Sequence, residues 1–284
     1  MKAKTLMIQG TSSGSGKSTV VTALCRIFTS QGYSVAPFKA QNMSSNIHTI
    51  GNTAKKIAKA QLVQASASKK APDIKMNPIL LKPFGNYRSR VFLNGDFYSE
   101  MDATEYYNTF ALQKGFPAIL RALNELRKEN DLVIIEGAGS PAEINISRFD
   151  VANMLLAKEI YAPVIIVSDI ERGGCFASIV GTMKLLKPNY RNLVKGILIN
   201  KFRGDKSILQ PALKTVEGMI NRPILGVIPK IKFNLPDEDS LDSNKSHKYE
   251  LPEESWEEQI DIIVTAIEEN VDLDKIRQNL IGLK

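Results

Sequence analysis

From Thr5 to Thr19 the chain reads TLMIQGTSSGSGKST, and a segment carrying Val20, Val21, Leu24, Ile27 and Phe28 follows. The first five residues are an apolar run too short for a core helix, so they read as a buried strand. The apolar residues after Thr19 recur at helical spacing. Between them lies a loop of glycine and serine ending in Gly16-Lys17-Ser18. Such glycines let successive backbone N–H groups turn inward around phosphate oxygens, and the helix N-terminus adds favourable polarity. Lys17 is placed for the β- and γ-phosphates and Ser18 for Mg²⁺. The expected nucleotide-binding residues are therefore Gly10, Thr11, Ser12, Gly14, Gly16, Lys17, Ser18 and Thr19, with ATP and Mg²⁺ as the ligands. Five residues separate Gly10 from Gly16, one more than the common spacing of this loop.

Five further apolar runs of the same kind follow: Ser34–Phe38, Leu132–Glu136, Val164–Ser168, Gly196–Asn200 and Ile224–Ile228. Amphipathic stretches separate them; in one, Ile119, Leu123 and Leu126 share a face while Arg121, Glu125 and Lys128 fall elsewhere. Continuous apolar strands alternating with helices predict an α/β fold, a doubly wound and mainly parallel sheet with helices on both faces. The 284 residues are 43% hydrophobic and 24% charged, which excludes collagen-like, disordered and membrane-spanning chains. Two cysteines, Cys25 and Cys175, are too few for a disulfide framework, and two histidines, His48 and His247, argue against a histidine-rich metal centre. Cys25 and Cys175 read as packing residues and His48 as a surface or loop residue. The N-terminal apolar run is too short for a leader or a membrane span, so the expected setting is cytoplasmic.

Charge is divided along the chain. Residues 1–235 carry 32 basic and 16 acidic side chains, whereas residues 236–284 carry 5 and 14. A basic body suits polyanionic ligands such as nucleotides and multi-carboxylate substrates. Residues 1–235 read as the P-loop domain and 236–255, rich in Pro, Asp, Ser and Asn, as an acidic linker. Residues 256–284 read as a helical tail, with Trp256, Ile260, Ile263 and Ile267 at helical spacing. The acidic tail and the lack of an aromatic-basic stripe argue against nucleic acid as the natural ligand.

Ligands of doubly wound sheets sit at the C-terminal ends of the strands. There the chain places Lys39, Gln41 and Asn42; then Glu136, Glu143 and Asn145; then Asp169 and Glu171; then Asn200 and Lys201. Glu136 is placed to hold Mg²⁺ together with Ser18. Lys17 and Lys39 are placed to neutralise a transferring phosphoryl group, and Asn200 to read the adenine edge. The chemistry that fits is attack of a carboxylate on the γ-phosphate of ATP, which needs positioning and charge masking and no Ser–His–Asp or Cys–His arrangement.

The stretches QGTSSGSGKS, APFKAQNM, MNPILLKP, EGAGSPAEIN, DVANM, RGGCFAS, INKFRGD and LPDEDSL run in order from about residue 7 to residue 241. In them the chain resembles the N-terminal, ATP-using domain of the cobyric acid synthase family of cobalamin biosynthesis. The longer loop is similar to that of dethiobiotin synthetase and cobyrinic acid diamide synthase. The resemblance implies ATP-dependent amidation of corrinoid side-chain carboxylates, from adenosylcobyrinic acid a,c-diamide to cobyric acid, through an acyl phosphate. It implies that Lys17, Lys39, Glu136 and Asp150 take part in catalysis, and that Gln41, Asn42, Glu143 and Asn145 line the substrate end. Family members continue into a glutaminase with a Cys–His–Glu triad that these cysteines and histidines do not build. Ammonia is then expected from solution or from a separate glutaminase subunit.

Three substitutions depart from the family pattern. KKIAKAQ at 55–61 puts Lys56 where the family carries a carboxylate, which is expected to weaken the metal site; Arg90 stands for the usual Gln and Glu171 for the usual Asp. The alternative function is a catalytically reduced nucleotide-binding paralogue that regulates or binds a corrinoid enzyme. A switch ATPase of the MinD or ParA kind is disfavoured, because no lysine lies between Gly10 and Gly16. Dimerisation is left open.

Overall fold

The computed structural model describes residues 2–236 and 255–283. Most of the expected acidic linker and the end of the LPDEDSL stretch, from Asp237, lie outside the described residues, as does His247.

Among the described residues, twelve strands form three sheets. β1 (Lys4–Gly10) and β2 (Val35–Lys39) belong to the central one. β3 (Gln41–Met43), β4 (Ile47–Thr49), β5 (Lys56–Ala58), β6 (Ile79–Phe84), β7 (Arg88–Leu93) and β8 (Asp96–Asp102) lie in an excursion that follows. β9 (Leu132–Glu136), β10 (Val164–Asp169), β11 (Val194–Phe202) and β12 (Ile224–Pro229) complete the central sheet in the order β12-β11-β10-β1-β9-β2, every pairing parallel. All five residues of β2 and of β9 are buried, as are Thr5 to Gly10 of β1. Since successive strand residues point to opposite faces, this requires cover on both sides. α/β architecture with a parallel core is thus what the apolar runs predicted, and the strand positions agree with them to within a few residues.

Among the described residues the helices are α1 (Lys17–Ser30), α2 (Lys59–Ala67), α3 (Ala103–Glu105), α4 (Phe116–Glu129), α5 (Met154–Ile160), α6 (Cys175–Leu185), α7 (Pro188–Arg191), α8 (Gln210–Ile220) and α9 (Trp256–Glu268). A π-helical turn, Tyr106–Gly115, joins α3 to α4, which buries Ala118, Ile119, Ala122, Leu123 and Leu126 as one face. α1 packs against β2, β9, α2 and α9, while α6 packs against β10 and α8. The tail helix α9 therefore docks on its own chain. Trp256, Ile260, Ile263 and Ile267 enter the same core as the central strands. Arg26 of α1 clasps Glu257 bidentately at 2.7 and 2.8 Å. Among the described residues no helix is long and apolar enough to cross a membrane.

The excursion between β2 and α3 was not anticipated. It holds a four-stranded sheet, β3-β6-β7-β8, and a ribbon of β4 with β5. Several of its strands are only three residues long, too short for a periodic signal. One signal was present: Asn94-Gly95 has φ 51° and 84°, the left-handed pair that closes a two-residue hairpin between β7 and β8. His48 sits half-buried on β4 rather than in a loop.

Candidate active site

β1 lies between β9 and β10, so the chain leaves it in one direction toward β2 and in the other toward β12. A crevice opens beyond the strand ends where the winding reverses. Parallel register sets what meets there: Lys39 pairs directly with Glu136, and Asp169 with Asn200.

Glu136 is the centre of the arrangement. Its Oε1 accepts from Ser18 Oγ at 2.8 Å and from Lys39 Nζ at 2.9 Å, and its Oε2 accepts from Gln64 Nε2 at 2.5 Å. Burial by itself would raise this carboxyl, but Lys39, Lys17 and Gln64 outweigh it and hold the group below the usual carboxylate range. A buried carboxylate is thus kept ionised against two buried lysines, Lys17 and Lys39, 4% and 2% exposed.

The phosphate loop turns through Gly14 at φ 68° and Gly16 at φ 98°, a region that costs L side chains energy. A β-carbon on Gly16 would lie 1.9 Å from Asn200 Nδ2. Lys17 Nζ reaches back to the Ser12 carbonyl at 3.2 Å, and Thr11 Oγ1 meets Ser168 Oγ at 3.0 Å. Asn200 Nδ2 donates to the Ser15 carbonyl at 2.9 Å while its Oδ1 accepts from the Lys201 backbone, so this amide braces the loop. Lys201 spans Gly14 and Asp169 at 2.6 and 2.8 Å.

Two cavities meet at Lys17. One, of about 320 Å³, is lined by Gly14, Gly16, Lys17, Ser18, Thr19 and Lys201 on its polar side and by Ala60, Val63, Phe233 and Leu235 on its apolar side. The other, of about 420 Å³, brings together Lys17, Lys39, Gln41, Asn42, Glu143 and Asp150. Asn145 is exposed and lies among the lining of neither. Burial raises the Asp150 carboxyl to about 6, despite bonds from Asn153 and from the backbone of Met154 and Ala152. Gln41 accepts from Tyr106 at 2.7 Å, and Asn42 donates to Gln61 at 2.8 Å.

Sequence reading overlooked Gln64, Tyr107 and Asn153. Gln64 is a fully buried amide on a helix whose buried residues are otherwise Ala, Leu, Val and one further amide, Gln61, and polar residues among such neighbours were the available signal. Tyr107 and Asn153 line the second cavity. Asn153 clamps Ala138 through both ends of its amide, at 2.7 and 3.1 Å, and also reaches Asp150 at 3.0 Å.

The expected effect of Lys56 on the metal site is not supported by its position. Lys56 lies on β5, its ammonium donates to Thr49 across the β4–β5 ribbon, and it lines neither cavity. Cys25 and Cys175 are buried as expected, and burial raises both thiols, Cys25 to about 12.

Residues 6–239 match the family model of the CobQ/CobB/MinD/ParA nucleotide binding domain. The chain belongs to this family. As a CobQ/CobB/MinD/ParA domain it is 51% identical over 240 residues to a cobyric acid synthase of Clostridium novyi, covering 84% of this chain and 47% of that protein. It is 52% identical over 238 residues to a probable cobyric acid synthase of Thermococcus kodakarensis, covering 84% and 49%. The chain thus spans about half the length of the curated relatives it matches. Among solved structures, the septum site-determining protein MinD of Pyrococcus horikoshii, complexed with Mg-ADP, is 15% identical at a TM-score of 0.43, over 80% of this chain and 82% of that one.

Ser18 and Glu136 fit a magnesium ion: both offer hard oxygen atoms, 2.8 Å apart, at the floor of the loop. Among the described residues no group of three or more His, Cys, Asp or Glu is gathered to hold a metal.

Proposed function

We propose that this chain catalyses ATP-dependent amidation of corrinoid side-chain carboxylates through an acyl phosphate, with adenosylcobyrinic acid a,c-diamide as the substrate. The observation that carries this reading is Lys17 lining both cavities, with Lys39 and Glu136 beside it. Supporting it are the relatives named cobyric acid synthase at about half identity.

ATP occupies the first cavity with its phosphates on the loop backbone and Lys17, and its base against Phe233 and Leu235. Ser18 and Glu136 would hold magnesium, which would add positive charge against the phosphates. A substrate carboxylate in the second cavity attacks the γ-phosphorus, and the bond from that phosphorus to the β-bridging oxygen breaks to release ADP. Lys17 and Lys39 stabilise the charge spread over the transferring group. Ammonia, from solution or a separate glutaminase, then adds to the acyl carbon. The carbon–oxygen bond to phosphate breaks, phosphate leaves, and the nitrogen loses a proton. Asp150, ionised above about pH 6, is the carboxylate of that cavity suited to receive it.

Trapping tests this reading. ATP, magnesium, the a,c-diamide and hydroxylamine should yield a hydroxamate together with ADP. ADP release that ignores the corrinoid, with no hydroxamate formed, overturns amidation and favours the regulatory paralogue.

A further inference from the structure

α2 carries Gln61 and Gln64 three residues apart, and both are fully buried. A buried amide is costly unless its hydrogen bonds are made. Here each is half satisfied. Gln64 Nε2 donates to Glu136 Oε2 and Gln61 Oε1 accepts from Asn42, while among the described residues Gln64 Oε1 and Gln61 Nε2 have no partner. A helix that only filled space here would carry Leu or Met. The satisfied ends point one way: Gln64 to the carboxylate at the phosphate loop, Gln61 to an amide of the second cavity.

We propose that Gln64 is a positioning residue for Glu136. A carboxylate turning about its last torsion can offer either oxygen. Gln64 holds Oε2, and Lys39 and Ser18 lie on Oε1, so the group is fixed with Oε1 toward the serine. Gln64 lines neither cavity, so it acts through Glu136. The proposal rests on the reading that Ser18 and Glu136 hold magnesium with the nucleotide.

The test is calorimetric titration of ATP with magnesium and with EDTA, on the full chain and two variants. Gln64→Met keeps an unbranched side chain of similar length and removes both polar ends. Gln61→Met removes the neighbouring buried amide but leaves Glu136 its partner. Wild type should bind more tightly with magnesium, and Gln64→Met should shrink that ratio at least about tenfold while metal-free affinity stays unchanged. Gln61→Met should keep the wild-type ratio. A Gln64→Met protein that keeps the ratio overturns the proposal, as does an equal loss of metal-free affinity in both variants. A wild type with no magnesium ratio overturns the metal reading itself and this proposal with it. Should Gln64→Met fail to fold, Gln64→Asn, whose amide stops one methylene short of Oε2, is judged by the same ratio.

Discussion

Lys39 and Glu136 occupy paired register positions on adjacent parallel strands, and their side chains meet at 2.9 Å with only 2% and 0% of their surface exposed. Removing one partner of such a pair strands a buried charge, whereas removing both does not. Lys39→Met should therefore cost about 3–5 kcal/mol in urea unfolding. The double variant Lys39→Met with Glu136→Gln should recover much of that loss. Additive losses would mean that the pair is not coupled.

Lys17 is the side chain shared by the two cavities. At a hundredfold excess over Kd, magnesium-ATP should stabilise the wild type by about 2.7 kcal/mol, read as a rise in melting temperature. Lys17→Ala should abolish most of the rise. Equal shifts in both proteins would remove the loop from nucleotide binding.

Two glycines should respond to alanine in opposite ways. At Gly16, φ is 98° and the new methyl would collide with Asn200, so Gly16→Ala should lose nucleotide binding and destabilise the chain. At Gly218, inside α8, a β-carbon meets nothing within 4 Å, and the exchange should stabilise by about 0.5–1 kcal/mol. Chemical denaturation of both variants checks the contrast.

The clasp between Arg26 and Glu257 makes stability pH-dependent. Arg26, then Lys69, hold the Glu257 carboxyl down to about 2 against a smaller opposing effect of burial. A depressed folded-state value means that the stabilisation is present above the unfolded carboxylate pKa of about 4.3. It is lost as the pH falls toward 2. Glu257 is 44% exposed, so screening keeps the effect small. Melting temperatures of wild type and Glu257→Gln should converge as pH falls from 5 to about 2. A difference that stays constant over that range would exclude this carboxylate as the source.

Lys56 donates to Thr49 on the β4–β5 ribbon and lines neither cavity. Lys56→Glu should leave the magnesium dependence of ATP binding unchanged, in the same calorimetric titration. A marked tightening would bring this ribbon into the metal site.

The parallel core and the phosphate loop were legible because they are local. Short runs of Val, Ile and Leu bounded by polar residues give buried strands, and Gly16-Lys17-Ser18 between strand and helix gives the loop. Lys39 and Glu136 were legible as strand ends, since every strand of such a sheet delivers its last residue to one edge. The regions left unread were the short strands 41–102, whose form depends on pairing partners rather than on their own periodicity, and the glutamines of α2.

What the sequence determined by itself, then, was the fold class, the glycine-rich loop and the edge of the sheet to which the strands deliver Lys39 and Glu136. Tertiary structure alone decided which of those charges meet. Lys39 and Glu136 are 97 residues apart in the chain and Gln64 and Glu136 are 72 apart. Their contacts come from strand register and from the docking of α2, which no residue spacing encodes. The same holds for Lys56: aligned with a carboxylate, it was expected at the metal, and a three-residue strand turned its ammonium to Thr49 instead. Side-chain type is a property of one position. Proximity, and with it the ionisation of a buried carboxylate, is a property of the folded chain.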